Sequence, residues 1–189
     1  MNRQQPSQAI KSLAKRHDLS LARDVPVDES VISTDSILTH SGAVDTWLAH
    51  GLVHSLDLSV CLRRLRLRPD PGQAKTEDLA IFVVSIPHPG PDAFLLAHPA
   101  GLPQSFSRLL GHTMKLDLYQ PGGGHKLYSP TPLNPGQQEL AGRLADSLAQ
   151  SLNLEITPLE INLFTASPID RPDLAEHLLR TAVAISQRL

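Results

Sequence analysis

The sequence predicts an α+β fold: mainly one antiparallel sheet of about five to six strands, with three to five helices packed on or around it. Three observations carry this expectation. Apolar residues alternate with polar ones in residues 56–62 and 114–119, the period of a strand with one face buried. Leu140, Leu144, Leu148 and Leu152 recur every four residues, the period of a helix face. The elements run helix, ambiguous region, antiparallel strands, helix, hairpin, helix, strand, helix, an order that belongs to the α+β class.

Residues 7–17 place Ile10, Leu13, Ala14 and His17 on one helical face, with Ser7 as cap and Lys11, Lys15 and Arg16 on the other side. Residues 1–20 therefore read as an amphipathic helix or arm, and 21–189 as a single α+β domain. A helix-turn-helix does not follow, because residues 20–30 are acidic and contain Pro26. Residues 20–42 are ambiguous, with a short strand at 30–38. In residues 43–54, Val44, Trp47, Leu48 and Leu52 suit a helix, although the even positions also suit an extension of the following strand.

That strand, residues 56–68, is the most informative stretch. Its apolar positions are even from Leu56 to Leu62 and odd at Leu65 and Leu67. A bulge at Arg63-Arg64 would restore one buried face. Arg64, Arg66 and Arg68 would then form a basic stripe on the exposed face of a strand at or near a sheet edge. A loop by composition (residues 68–78) leads to the continuous apolar run 79–86, a strand buried on both faces. Residues 87–92 turn the chain and 93–98 return it as a hairpin.

A short helix at 103–111 buries Phe106, Leu109 and Leu110. Met114, Leu116 and Leu118 mark a half-buried strand, which Gly122, Gly123 and Gly124 turn toward residues 125–129. Asn134, Pro135 and Gln137 open a helix with a reciprocal cap, which Asn153 closes. Residues 154–164 form a strand that Pro158 bends or confines to an edge. Asp170 caps a last helix burying Leu174, Leu178, Thr181, Ala182 and Ile185.

A chain of 189 residues supports one well-buried core. With aromatics at only 4%, that core must be aliphatic. The net charge of −2 creates no global field for nucleic acid or an anionic membrane. Cys61 is the single cysteine, so no internal disulfide forms and a cytoplasmic location is the default. Cys61 itself reads as a packed thiol. Residues 1–17 lack the apolar core of a signal peptide, and no run reaches the ~20 apolar residues of a membrane span.

No motif specifies a reaction. The nucleophile-elbow pattern Gly-x-Ser-x-Gly and the zinc pattern His-Glu-x-x-His are both missing from the sequence. The triple glycine before His125 and Lys126 is followed by an extended segment ending in Pro130, which suits a hairpin turn and not a phosphate loop. Nine histidines are the one compositional excess. On a helix, His50 and His54 would share a face and form half a metal site, with His40, Asp45 or Asp57 as third ligand. His88, His98, His112 and His125 lie at strand ends or turns. They define an alternative catalytic pocket, with Asp92 or Asp117 orienting a general base. Each group has a plain alternative as partly exposed histidines.

The stripe Arg64, Arg66, Arg68 has three readings: edge protection, contact with an acidic protein, or nucleic-acid binding. The last is disfavoured because stacking aromatics are missing around it. The leading expectation is a non-enzymatic protein-binding module: an adaptor, assembly chaperone or subunit of a larger complex. It would act through those arginines on a protein partner or by self-association, without cofactor or membrane. The competing expectation is a small enzyme using the loop histidines, as in metal-assisted hydrolysis. The element order is loosely similar to that of small α+β assembly and secretion chaperones, and no motif ties it to a family.

Overall fold

The computed structural model describes residues 5–26, 36–39, 43–67, 77–88, 90, 92–99, 102–117, 119–166, 169 and 171–189. In chain order the elements are α1 (Gln5–His17), β1 (Ser20–Pro26), β2 (Val44–Val53), β3 (Leu56–Leu67), β4 (Glu77–Pro87), β5 (Phe94–Ala97) and α2 (Gln104–Thr113). They continue with β6 (Lys115–Leu116), β7 (Lys126–Ser129), α3 (Pro135–Ala145), β8 (Asn153–Ile156), β9 (Glu160–Thr165) and α4 (Pro172–Ser186). The strands make one nine-stranded sheet in the order β1-β2-β3-β4-β9-β8-β5-β7-β6. Every neighbouring pair is antiparallel.

The α+β class is as expected, but nine strands exceed the five to six. Residues 20–26 and 43–54 supply two strands that periodicity did not separate from loop or helix. Residues 154–164, read as one bent strand, are in fact the hairpin of β8 and β9. The Thr157 hydroxyl accepts from the Leu159 and Glu160 amides at 3.3 and 3.1 Å, and Pro158 sits in that turn. Both strands are interior, so Pro158 marks a connection and not an edge.

Residues 43–54 are corrected from helix to β2. His54 and Ser55 both adopt left-handed backbone, with φ of 51° and 65°, and Val53 faces Leu56 across them. This is a two-residue hairpin turn of the kind that matches strand twist. It lacks the Asn-Gly signature that would have announced it.

The sheet is buried on both faces. On the first, Ile10 and Leu13 of α1 and Leu178 and Ala182 of α4 pack over Val60, Val84 and Leu163. On the second, Ile37 and Leu38 of a single 3-10 turn (Ile37–Thr39) join Phe106 and Leu110 of α2 over Cys61, Leu65, Ile81 and Val83. This explains the phase change in β3. Even residues Leu58 and Val60 lie under the helices, while odd residues Cys61 and Leu65 lie under the second layer. The cover of the first face ends before the exposed Arg64. The β3–β4 register runs unbroken from Ser59↔Ser85 to Leu67↔Glu77, so the bulge expected at Arg63-Arg64 is not there. The irregularity lies in β2, between Asp45 and Trp47. Nor is β3 an edge strand, since it is third from the end of the sheet.

Within β4, residues 81–86 are buried on both faces as expected, whereas Ala80, in the same expected run 79–86, is exposed. The expected hairpin of this run with 93–98 does not form, because β9 and β8 lie between β4 and β5. The turn at Gly122, Gly123 and Gly124 does pair β6 with β7, and all three glycines have positive φ. However, β6 has only two residues and Leu116 is 55% exposed, so it is not a half-buried strand. Leu118 lies outside the described residues, as do Asp170 and most of the expected 30–38 strand. Leu174, expected inside, is 41% exposed, whereas Leu178, Ala182 and Ile185 are buried.

The capping box at α3 is present as read. Asn134 accepts from the Gln137 amide and Gln137 accepts from the Asn134 amide, both at 3.0 Å. Gln137 also donates to Asp92 at 2.9 Å, tying the helix start to the segment before β5. The helix ends at Ala145, earlier than the leucine repeat suggested, and Leu148 and Leu152 reach the core from the following turns. Asn134→Ala is expected to lower stability by about 1 kcal/mol, read as a shifted urea midpoint with unchanged slope.

Candidate binding face

The β2 bulge organises the candidate site. In a regular strand Asp45 and Trp47 would share a face; the extra residue, Thr46, sends them to opposite ones. Thr46 secures the bulge by donating to the Leu62 carbonyl at 2.8 Å. Asp45 turns into the second face and meets Arg63 in a bidentate pair, with Nε to Oδ1 at 2.7 Å and Nη2 to Oδ2 at 2.8 Å. Both side chains are fully buried, and Arg63 Nη1 donates to the Leu38 carbonyl at 2.9 Å. Burial works against the guanidinium charge, but the hydrogen bond to Asp45 and the Coulombic pull of Cys61, Asp45 and Glu160 together outweigh it and hold Arg63 above its usual pKa. Burial raises the neighbouring Cys61 thiol well above its ordinary range, with the Asp45 charge adding to it. This is a packed thiol, not a nucleophile.

Trp47 turns to the first face. There the Lys11 ammonium stands 4.5 Å from its ring centroid and the Arg23 guanidinium 4.7 Å. Arg23 is placed by pairing opposite Trp47, and Leu62 by pairing on its other side. Arg64 and Arg66 follow Leu62 at the strand period on that same face, and both are exposed. Arg66 makes a surface ion pair with Asp78 at 3.4 Å, a contact worth little in water. A half-buried tryptophan between two cations, continued by two arginines, therefore forms one basic surface on α1 and β1–β3. Arg68 lies outside the described residues. The sequence reading found Arg64 and Arg66 but missed Lys11, Arg23 and Trp47. No local sequence signal marks them, because strand pairing and helix docking bring them together.

A second polar group lies buried on the opposite face. Glu155 accepts from Ser36 Oγ at 2.5 Å, the Ile37 amide at 2.7 Å and Asn162 Nδ2 at 3.1 Å. Asn162 also reaches Glu160, which accepts from Ser85. Burial pushes the Glu155 carboxyl up to about 7, against the pull of its three donors. This cluster fastens the 3-10 turn to the sheet.

The histidine expectations fare unevenly. His50 and His54 sit on β2 and in its turn, so the shared helical face they required does not exist. Among the described residues no group of three or more His, Cys, Asp or Glu is placed to hold a metal ion. Of the four loop histidines, the structure brings together His98 and His125, whose rings meet edge to face at 5.2 Å. His125 is buried, with Nε2 3.1 Å from the Leu152 carbonyl. Burial lowers its pKa, and His98 lowers it further. His88 follows β4 at the opposite end of the strands, beside Leu159, so the proposed pocket is not assembled from it. His112 lies in α2, its side chain outside the described residues. Asp92 and Asp117 accept from Gln137 and Gln138 of α3, so they orient that helix.

No helix among the described residues is long and apolar enough to cross a membrane. No protein-family model and no curated protein sequence matches the chain. Among solved structures it is similar to the crystal structure of the mycobacterial trehalose monomycolate transport factor A, TtfA, with a TM-score of 0.58 and 12% identity over 98% of this chain and 94% of that one. At that identity the likeness is one of fold, and it extends over nearly the whole of both chains.

Proposed function

We propose that the chain is a non-catalytic accessory module, an adaptor or assembly chaperone, that docks an acidic protein partner on the basic face of α1 and β1–β3. The observation carrying this reading is Trp47 held between Lys11 and Arg23, with Arg64 and Arg66 beyond it on the same face. Tryptophan and arginine are the residues that most often dominate binding energy at interfaces, and aligned cations steer an acidic partner into register. The protein whose fold it shares is a transport factor, and an accessory role is what we carry over from it. A cytoplasmic location belongs to the same proposal.

The test is co-purification from the native cell with the partner identified, repeated with Arg64→Glu/Arg66→Glu and with Trp47→Ala. Charge reversal is expected to weaken the complex about tenfold or more and to flatten its salt dependence. If both variants retain the partner at wild-type affinity, the face is not the docking site. Capture of nucleic acid in place of protein would overturn the partner class.

A further inference from the structure

Where α1 ends, its last residue, α4 and the β2–β3 turn enclose a cleft of about 330 Å³. Its walls divide into two kinds. Val53, Leu179, Val183 and Ala184 make the apolar side, and His17, His54, Glu176, Arg180 and Gln187 the polar side. Glu176 is buried and already fully engaged. Arg16 Nη1 donates to Oε2 at 3.2 Å, His17 Nε2 lies 2.9 Å from the same oxygen, and Arg180 Nε donates to Oε1 at 2.9 Å. Burial alone would raise this carboxyl, but the hydrogen bonds from His17 and Arg180 win and hold it below its ordinary range. Glu176 is therefore an anion with no need of a further cation.

The cations around it are not used up. One carboxylate faces two permanent guanidinium groups, so the cluster carries one positive charge in excess before either imidazole is counted. Arg180 engages only its Nε, leaving both terminal nitrogens without a protein partner among the described residues. A guanidinium fork of this kind matches a planar carboxylate. An excess of a single charge, with Glu176 alongside, favours a monoanion over a phosphate dianion. The adjoining aliphatic wall favours a hydrocarbon body, and the volume is at the small end of ligand sites.

We propose that this cleft binds a small amphiphilic monocarboxylate, its carboxylate on the free edge of Arg180 beside His54 and its aliphatic body against Val53, Leu179, Val183 and Ala184. The site lies apart from the basic face around Trp47, so the two readings stand or fall separately.

The full chain is titrated with octanoate and followed by NMR, alongside inorganic phosphate as an anion without a tail and octanol as a tail without charge. Octanoate is expected to shift the signals of His54, Val183 and Ala184 saturably. Phosphate and octanol are expected to bind at least about tenfold more weakly, and Arg180→Gln to lose about tenfold in octanoate affinity. Ala184→Trp, which fills the apolar side and leaves every charge in place, is expected to abolish binding. Wild-type dispersion of the amide signals away from the cleft shows that each variant is folded. The proposal is overturned if octanoate shifts nothing saturably, if phosphate or octanol binds as well as octanoate, or if folded Ala184→Trp binds like the wild type.

Discussion

Replacing Arg63 by alanine is expected to destabilise the protein by about 3–5 kcal/mol, a large share of the total stability of an ordinary domain. The truncation leaves the Asp45 carboxylate buried without its bidentate partner and deprives the Leu38 carbonyl of its donor. It also opens a void beside Cys61 and Leu65. Asp45→Ala is expected to cost as much, because it strands the guanidinium instead. The informative comparison is the double change Arg63→Met/Asp45→Leu, which removes both charges and keeps most of the volume. Apolar replacement of a buried pair is often neutral or better, so the double variant should be more stable than either single one. Urea unfolding of the four proteins checks this order. Single variants within about 1 kcal/mol of wild type would show that the pair is hydrated and not sealed beneath the 3-10 turn.

This pair also shows what was legible in the sequence and what was not. The start of α3 was readable to the residue, because Asn134, Pro135 and Gln137 act on each other within one turn. The strand within 79–86 was readable because burial on both faces of 81–86 leaves Ser85 as the one polar residue among apolar ones. Arg63 was read as part of a bulge for a physical reason. A charged residue in a buried phase looks like a break in that phase, and only its parity with Cys61 and Leu65 says that it points inward. The partner that makes burial tolerable, Asp45, comes from another strand, and a bulge with no sequence signature aims it. The basic face divides in the same way. Arg64 and Arg66 are exposed on one strand face as expected, yet Lys11, Arg23 and Trp47 join them only through strand pairing and helix docking. Periodicity cannot foresee such long-range register. The second strand itself was lost because Leu48 and Leu52 suited either period and its turn is made by His54 and Ser55.

The second large effect is a dependence of stability on pH set by Glu155. Its carboxyl, ordinarily near 4.5, titrates at about 7 in the folded chain because burial penalises the charge, with Glu160 adding to the penalty. The folded state therefore holds this proton more tightly than the unfolded one. Below about pH 4.5 both states are protonated and the group contributes no slope. Between about 4.5 and 7 the unfolded state ionises first, so stability falls as pH rises, by about 3 kcal/mol in total; above 7 the loss is complete. His125 acts in the opposite sense across part of this window. Its folded pKa is depressed, so its contribution is lost as pH falls through the ordinary histidine range. Wild type alone thus mixes the two slopes. The difference between wild type and Glu155→Gln isolates the carboxylate, because His125 is common to both. That difference is expected to favour the glutamine variant progressively from pH 5 to 7 and then to level off. The Ile37 amide, which donates to Glu155, is expected to exchange faster with rising pH in the wild type, after correction for intrinsic exchange, and to lose that trend in the variant. Parallel stability curves for the two proteins from pH 5 to 8 would mean that Glu155 is already ionised in the fold, its three donors outweighing its burial.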